Sequence, residues 1–396
     1  MADPTPPKPW TQRLRGAVEG TVIRGDDWID AAFDRFNTRF GRHRPRHIAA
    51  YRSFADAQGV ELFGRVLAEA PLGGPGEHDD WWDNLLNTYR RFESDEVPHA
   101  PLVAHFGSAR VEMVTDQEGY YAAAFKSLDT VGDTLWTEAR VALADGTLDT
   151  PQPVMQVLPH ARVGLISDID DTILQSSITD WKIAAQLTFL GNARTRKPLL
   201  GVAKLYAALQ AGTNPLFYVS SSPWNLYDLL DDFMALNAIP HAPIFLRDIG
   251  MDTGKFIKTP GHGHKLERAR TLIARNPQLR WILLGDSGQQ DAELYAEAAR
   301  EFGDRIAAIY IRDVDPGVDS ALDTGVDAWS EKVVGTKVPM LRATDSVAIA
   351  EHAASIGVLD PAAIPAIVAE VHKDAARPTL NEAAVEEAKS GAAPPP

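Results

Sequence analysis

Residues Val163–Thr172 read Val-Gly-Leu-Ile-Ser-Asp-Ile-Asp-Asp-Thr, and this stretch decides the fold. A compact apolar run leads directly into three carboxylates, Asp168, Asp170 and Asp171, with the hydroxyl of Thr172 behind them. A short run of this kind suits a strand buried on both faces. The C-terminal end of such a strand opens into the crevice where open α/β sheets bind ligands. Carboxylates this close repel one another unless a cation neutralises them. Mg²⁺ suits the position, because it takes one or two carboxylates together with phosphate oxygens and water.

Downstream, short apolar runs alternate with longer helical patterns. The runs are Pro215–Val219, Pro243–Leu246, Arg280–Leu284 and Ile306–Ile311. Strand, helix, strand, helix predicts an open parallel sheet with helices on both faces. Three further segments carry chemistry. Leu216–Trp224 ends a strand in Ser220, Ser221 and Ser222, whose hydroxyls and backbone N–H groups can bind phosphate oxygens without adding charge. His264-Lys265 opens the helical pattern Leu266–Ile273, placing a cation where a helix start also favours anions. Trp281–Asp291 ends another strand and presents Asp286 and Asp291 around a Gly-rich bend, a pair able to complete a metal site begun at Asp168. Each segment ends a predicted strand or starts the next helix, so all of them converge on one edge of the sheet.

These residues resemble the haloacid dehalogenase superfamily of phosphotransferases. Asp168–Thr172 is similar to its first motif, Ser220 to its second, Lys265 to its third, and Gly285-Asp286 with Asp291 to its fourth. The flanks resemble, more narrowly, the actin-patch-protein family of phosphatidate phosphatases: Ile178-Thr-Asp-Trp181, Thr195-Arg-Lys-Pro198, Tyr218–Asn225, His264-Lys265 and Leu284–Asp291. The resemblance is dense over about 160–315 and looser over about 45–150. It implies a haloacid-dehalogenase-like Rossmannoid sheet with a small helical cap and a Mg²⁺-dependent phosphomonoester hydrolase. Asp168 would be the nucleophile and Asp170 the general acid and base. Ser220, Ser221 and Lys265 would hold the phosphate. Asp168, the Asp170 backbone carbonyl, Asp286 and Asp291 would hold the metal, and Thr172 would brace the loop. Asp171 matches the motif without a catalytic step. The cap would lie in Ser176–Leu200, where Trp181 and Phe189 accompany Arg194, Arg196 and Lys197, a mixture suited to a phosphate with an apolar tail or to plain helix packing.

Upstream the pattern differs. His47–Phe54, Val60–Leu67, Leu102–Phe106, Ala109–Thr115, Tyr120–Phe125 and Leu135–Ala142 read as short strands separated by turn signals, which predicts a small β-rich, sandwich-like domain. Asp80 can cap a helix over 81–91. The expected organisation is an N-terminal helical segment (1–44), the β-rich domain (45–155), the phosphatase domain (156–340), C-terminal helices (341–373) near Ser346–Ile356 and Pro361–His372, and an Ala/Glu/Pro-rich disordered tail (374–396).

Composition narrows the function. The chain has 396 residues and no cysteine, which excludes thiol nucleophiles, thiolate zinc sites and iron–sulfur clusters. Its formal net charge of −15 argues against a general nucleic-acid binder. Charge is uneven: residues 1–53 hold 10 Lys/Arg against 6 Asp/Glu, leaving −19 on the remainder. Such a basic segment can dock on an acidic neighbour in the same chain or mark a partner surface. Arg13, Arg15, Arg24, Arg35 and Arg39, interleaved with Trp10, Trp28 and Phe33, also raise peripheral membrane contact through residues 1–40. No apolar run reaches the ~18 residues of a membrane span and the first residues lack a secretory apolar core, so a cytoplasmic protein is expected, with possible contact at the inner membrane surface. His262 and His264 read as structural rather than metal-binding. Phosphatidate is the expected substrate. A phosphatase for soluble phosphomonoesters, or a non-catalytic scaffold on a relic phosphatase fold, are the alternatives.

Overall fold

The structure is a computed structural model that describes residues 46–68, 96–126, 132–169, 199–247, 263–314, 321–333 and 336–376. Outside them lie the expected N-terminal segment, the 81–91 helix, nearly all of the expected cap, His262, Asp170, Asp171 and Thr172, and residues 377–396. The chain divides into two compact units between Pro159 and His160.

The first unit is built from β1 (His47–Ala50), β2 (Ser53–Asp56), β3 (Gly59–Leu67), β4 (Pro101–Phe106), β5 (Ala109–Val114), β6 (Tyr120–Lys126), β7 (Trp136–Leu143) and β8 (Asp149–Gln156). They form one curled sheet, in the order β1-β3-β2-β8-β7-β4-β5, with β6 paired to β3. This corrects the expected sandwich of two sheets. Gly59, Val60 and Glu61 pair with β2 on one edge and with β6 on the other, so β3 sits inside a continuous ladder. The ladder curls until β5 comes beside β6. Ile48, Leu62, Val66, Leu102, Val141 and Val154 fill its core.

The predicted strand 47–54 is broken at Tyr51-Arg52. Gln152 makes the break tolerable: its buried Nε2 lies 2.9 Å from Tyr51 O, 2.8 Å from Ser53 Oγ and 2.9 Å from Phe63 O, and Tyr121 Oη donates to its Oε1 at 3.1 Å. Strand β8 escapes sequence reading because Pro151 and Pro153 interrupt it. Its pairing with β2 begins only at Val154, so both prolines lie where β8 has no strand partner on that side.

The second unit has the predicted alternation. Its elements are β9 (Val163–Ser167), α1 (Val202–Gln210), β10 (Leu216–Pro223), α2 (Tyr227–Leu236), β11 (Ile244–Arg247), α3 (Gly263–Arg275), β12 (Arg280–Asp286), α4 (Asp291–Phe302), β13 (Ile306–Arg312), α5 (Ala321–Val333), β14 (Met340–Ala343), α6 (Ser346–Ser355) and α7 (Ile364–Ala376). All six strands are parallel, in the order β11-β10-β9-β12-β13-β14. Every residue of β9 and β13 is buried, as a sheet covered on both faces requires. From β9 the chain moves outward to β10 and β11, then returns to β12 and moves outward the other way. The strand order therefore reverses at β9 and β12, and ligands bind at such a switch point.

Strand β14 extends the sheet past residue 340, into the stretch expected to hold only helices. Helices α6 and α7 close back on α1. Ser346 Oγ donates to Leu200 O at 2.6 Å, Arg312 Nη2 lies 3.3 Å from the same oxygen, and Asp374 Oδ2 accepts from Gly201 N–H at 2.9 Å. Burial pushes the Arg312 guanidinium down to about 10, which still leaves it charged at neutral pH. Gly201 has φ +76°, and a Cβ there would meet Val371 Cγ2 at 2.5 Å, so only glycine fits. The expected tail from residue 374 is corrected accordingly: 374–376 complete α7, because Asp374 is buried by its bond to Gly201.

Candidate functional site

Asp168 follows β9, and its N–H donates to Leu284 O at 2.9 Å, so the ladder with β12 continues through the residue that carries the carboxylate. Register fixes its neighbours. Ser167 pairs with Leu284 and with Tyr218, which sets Asp286 and Ser220 each two residues beyond that level and Asp168 one. All three stand at the C-terminal edge, at the switch point. Asp168, Asp286, Asp291 and Ser220 are completely buried, and Lys265 is 1 % exposed.

Asp291 opens α4, where a helix N-terminus favours a negative charge. Its carboxylate folds back over Gly285: a Cβ on Gly285 would lie 2.5 Å from Asp291 Cβ and 2.6 Å from Oδ2. Asp291 Oδ2 accepts from Asp286 N–H at 3.3 Å, linking the end of β12 to the start of α4. The Gly in Gly285-Asp286 is thus a matter of space.

Lys265, in the first turn of α3, reaches into this cluster. Its Nζ lies 2.9 Å from Asp168 Oδ1, 2.9 Å from Asp291 Oδ1 and 3.0 Å from Gln289 Oε1. Burial alone would push its pKa down; the Asp168, Asp291 and Asp286 carboxylates outweigh this and hold it above the ordinary lysine value. Lys265 therefore keeps its positive charge at neutral pH.

Asp168, Asp286 and Asp291 each offer a carboxylate oxygen within 4.8 Å of the others. Three buried carboxylates against one ammonium leave two negative charges, and the donors are all hard oxygens. That set fits a hard divalent cation.

On β10, Ser222 N–H donates to Ser220 Oγ at 2.9 Å, which orients the Ser220 hydroxyl. Ser221 is half-buried. The structure thus brings Asp168, Ser220, Lys265, Asp286 and Asp291 to one edge. Asp170 and Thr172 lie outside the described residues, and Trp224 stacks on Tyr227 at 6.3 Å. Two contacts were not legible as such in the sequence. Gln289 steadies Lys265 from the Gly-rich bend, and His264 Nε2 lies 2.8 Å from Ser220 O.

The geometry defines a parallel α/β unit with a lysine-bridged acidic centre at its switch point. Residues 163–313 match the family described as phosphatidate phosphatase APP1, catalytic domain. The chain is 31 % identical over 247 residues to the phosphatidate phosphatase APP1 of Saccharomyces cerevisiae, covering 58 % of this chain and 40 % of the relative. Over these residues the chain is similar to that family, and the motifs around Asp168, Ser220, Lys265 and Asp286 lie within the matched stretch. It is also 31 % identical over 160 residues to an uncharacterized protein of Schizosaccharomyces pombe, covering 40 % of this chain and 26 % of that one. The chain thus spans well under half the length of either relative. Among solved structures, the class C acid phosphatase from Bacillus anthracis aligns at 15 % identity with a TM-score of 0.27, over 36 % of this chain and 62 % of that one.

Proposed function

We propose that this chain is a Mg²⁺-dependent phosphatidate phosphatase of haloacid-dehalogenase type. The observation that carries the reading is Lys265, buried and held between Asp168 and Asp291 beside Asp286. A cation fixed against a carboxylate at a strand end suits a nucleophile that must meet an anionic phosphate.

In the proposed reaction an Asp168 oxygen attacks phosphorus while the bond from phosphorus to the lipid alcohol breaks. Asp170 gives its proton to the departing oxygen, releasing diacylglycerol. Asp170 then takes a proton from water, whose oxygen attacks the phosphorus. The bond to Asp168 breaks and phosphate leaves, with Asp168 again a carboxylate and Asp170 again protonated. Asp170 has this role through the family resemblance. Ser220, Ser221 and Lys265 hold the equatorial phosphate oxygens. Asp168, Asp286 and Asp291, with the Asp170 carbonyl, would bind Mg²⁺, which offsets repulsion between the nucleophile and the phosphate.

The deciding experiment compares dioctanoyl phosphatidate with a panel of soluble phosphomonoesters, with Mg²⁺, after exhaustive chelation and after Mg²⁺ is restored. Preferred turnover of phosphatidate that chelation abolishes and Mg²⁺ recovers is the expected result. Preference for a soluble ester would reassign the substrate, full activity in chelator would remove the metal, and no turnover of any ester would leave a binding protein on a phosphatase fold. Among the described residues no helix is long and apolar enough to cross a membrane. Contact with a lipid surface through residues 1–40 is part of the proposal, and equal liposome sedimentation with and without those residues would remove it.

A further inference from the structure

His264 stands next to Lys265, yet the reaction above gives it no task. Consecutive residues on a helix point roughly 100° apart. In the first turn of α3 this divides the two side chains between different strands. Lys265 reaches Asp168 beyond β9 and Asp291 beyond β12. His264 reaches β10, where its Nε2 lies 2.8 Å from the backbone oxygen of Ser220. A carbonyl oxygen can only accept, so Nε2 must carry the proton.

Ser220 is therefore gripped at two points. Its hydroxyl oxygen accepts from Ser222 N–H, and its carbonyl accepts from His264. Beyond Val219 the pairing of β10 with β11 loses its regular register. The ladder that orients the strand thus weakens where Ser220 must be placed, and the imidazole supplies an anchor from another element.

We propose that His264 is a positioning residue: through its Nε2–H bond to the Ser220 carbonyl it holds the phosphate-binding end of β10 in register with the ammonium of Lys265. The role rests on the reading that Ser220 and Lys265 hold the substrate phosphate. One turn of α3 then sets the hydroxyl and the cation relative to each other, and both grip the same phosphoryl group.

The test uses the full chain with Mg²⁺ and inorganic phosphate as the probe. Phosphate affinity is measured by calorimetry and by inhibition of phosphatidate turnover, alongside thermal unfolding. His264→Ala should weaken phosphate binding about tenfold, the size of one lost hydrogen bond, and raise KM more than it lowers kcat. His264→Gln, whose side-chain amide can donate to the same carbonyl, should restore most of the loss. Wild-type phosphate affinity in His264→Ala, or no rescue by His264→Gln, would overturn the role. If wild-type protein binds no phosphate, the parent reading falls as well, which separates the two failures. Should the alanine variant not fold, long-range ¹H–¹⁵N spectra of histidine-labelled wild type decide: protonated Nε2 on His264 is expected, and a proton on Nδ1 alone rules the bond out.

Discussion

At the scale of single residues, the site is a set of buried charges in which Lys265 offsets one of three carboxylates, and the two charges left over suit a divalent cation. Asp168 is the most exacting member. Asp168→Asn preserves shape and removes the proposed nucleophile, so the variant should fold and lose turnover by about 10³-fold or more. A steady-state assay showing activity within about tenfold of wild type would remove Asp168 from that role. Gly285 tests the space beneath Asp291. In Gly285→Ala the new methyl meets Asp291 Cβ at 2.5 Å and must displace it. The Mg²⁺ concentration for half-maximal activity should then rise about 10- to 100-fold, as when a metal site loses its support. A Mg²⁺ titration of the variant unchanged from wild type would sink that account. The residue types at 168, 265, 286 and 291 were legible from local pattern alone. The two carboxylates that Lys265 would bridge were not, because its partners lie on elements 97 and 26 positions away.

At the scale of elements, strand and helix signals in the second unit follow local physics closely. Buried parallel strands need continuous apolar runs, and those runs are visible as such. Capping is equally local. Asp345 Oδ1 accepts from Val347 N–H at 2.8 Å and Ala348 N–H at 3.3 Å at the start of α6. Asp345→Ala should cost about 1 kcal/mol in urea unfolding, while Asp345→Ser should keep most of it. Equal stability of the alanine variant and the wild type would show that the cap contributes nothing. The β-rich unit was less legible. Strand β8 carries prolines that ordinarily argue against a strand, and the place that tolerates them is set by where β2 begins to pair. Likewise, the break between β1 and β2 depends on Gln152, about a hundred positions on.

On the scale of the molecule, the C-terminal helices belong to the α/β unit. They lie beyond residues 163–313 of the family match, yet Ser346 and Asp374 hold Leu200 and Gly201, just ahead of α1. Asp374→Ala would leave the buried Gly201 N–H without its acceptor and should cost about 1–3 kcal/mol in chemical denaturation. Asp374→Asn keeps an acceptor oxygen and should lose less than about half of that. If both variants unfold at the wild-type denaturant concentration, α7 does not brace the unit. Nothing local marks Asp374 for this work; next to an Ala/Glu/Pro-rich stretch it reads as the start of a tail.

The amino-acid order alone determined the alternation of strands and helices in the second unit, the placement of each acidic, hydroxyl and basic group at a strand end or helix start, and the family those groups resemble. These follow from periodicity, turn chemistry and motif spacing, which act over a few residues. Tertiary structure alone decided that the β-rich unit is one curled sheet, that β14, α6 and α7 complete the second unit, that Lys265 bridges Asp168 and Asp291, and that His264 turns to β10. Each depends on which distant segments pair, and that choice is made by burying apolar faces and satisfying buried polar groups across the whole unit.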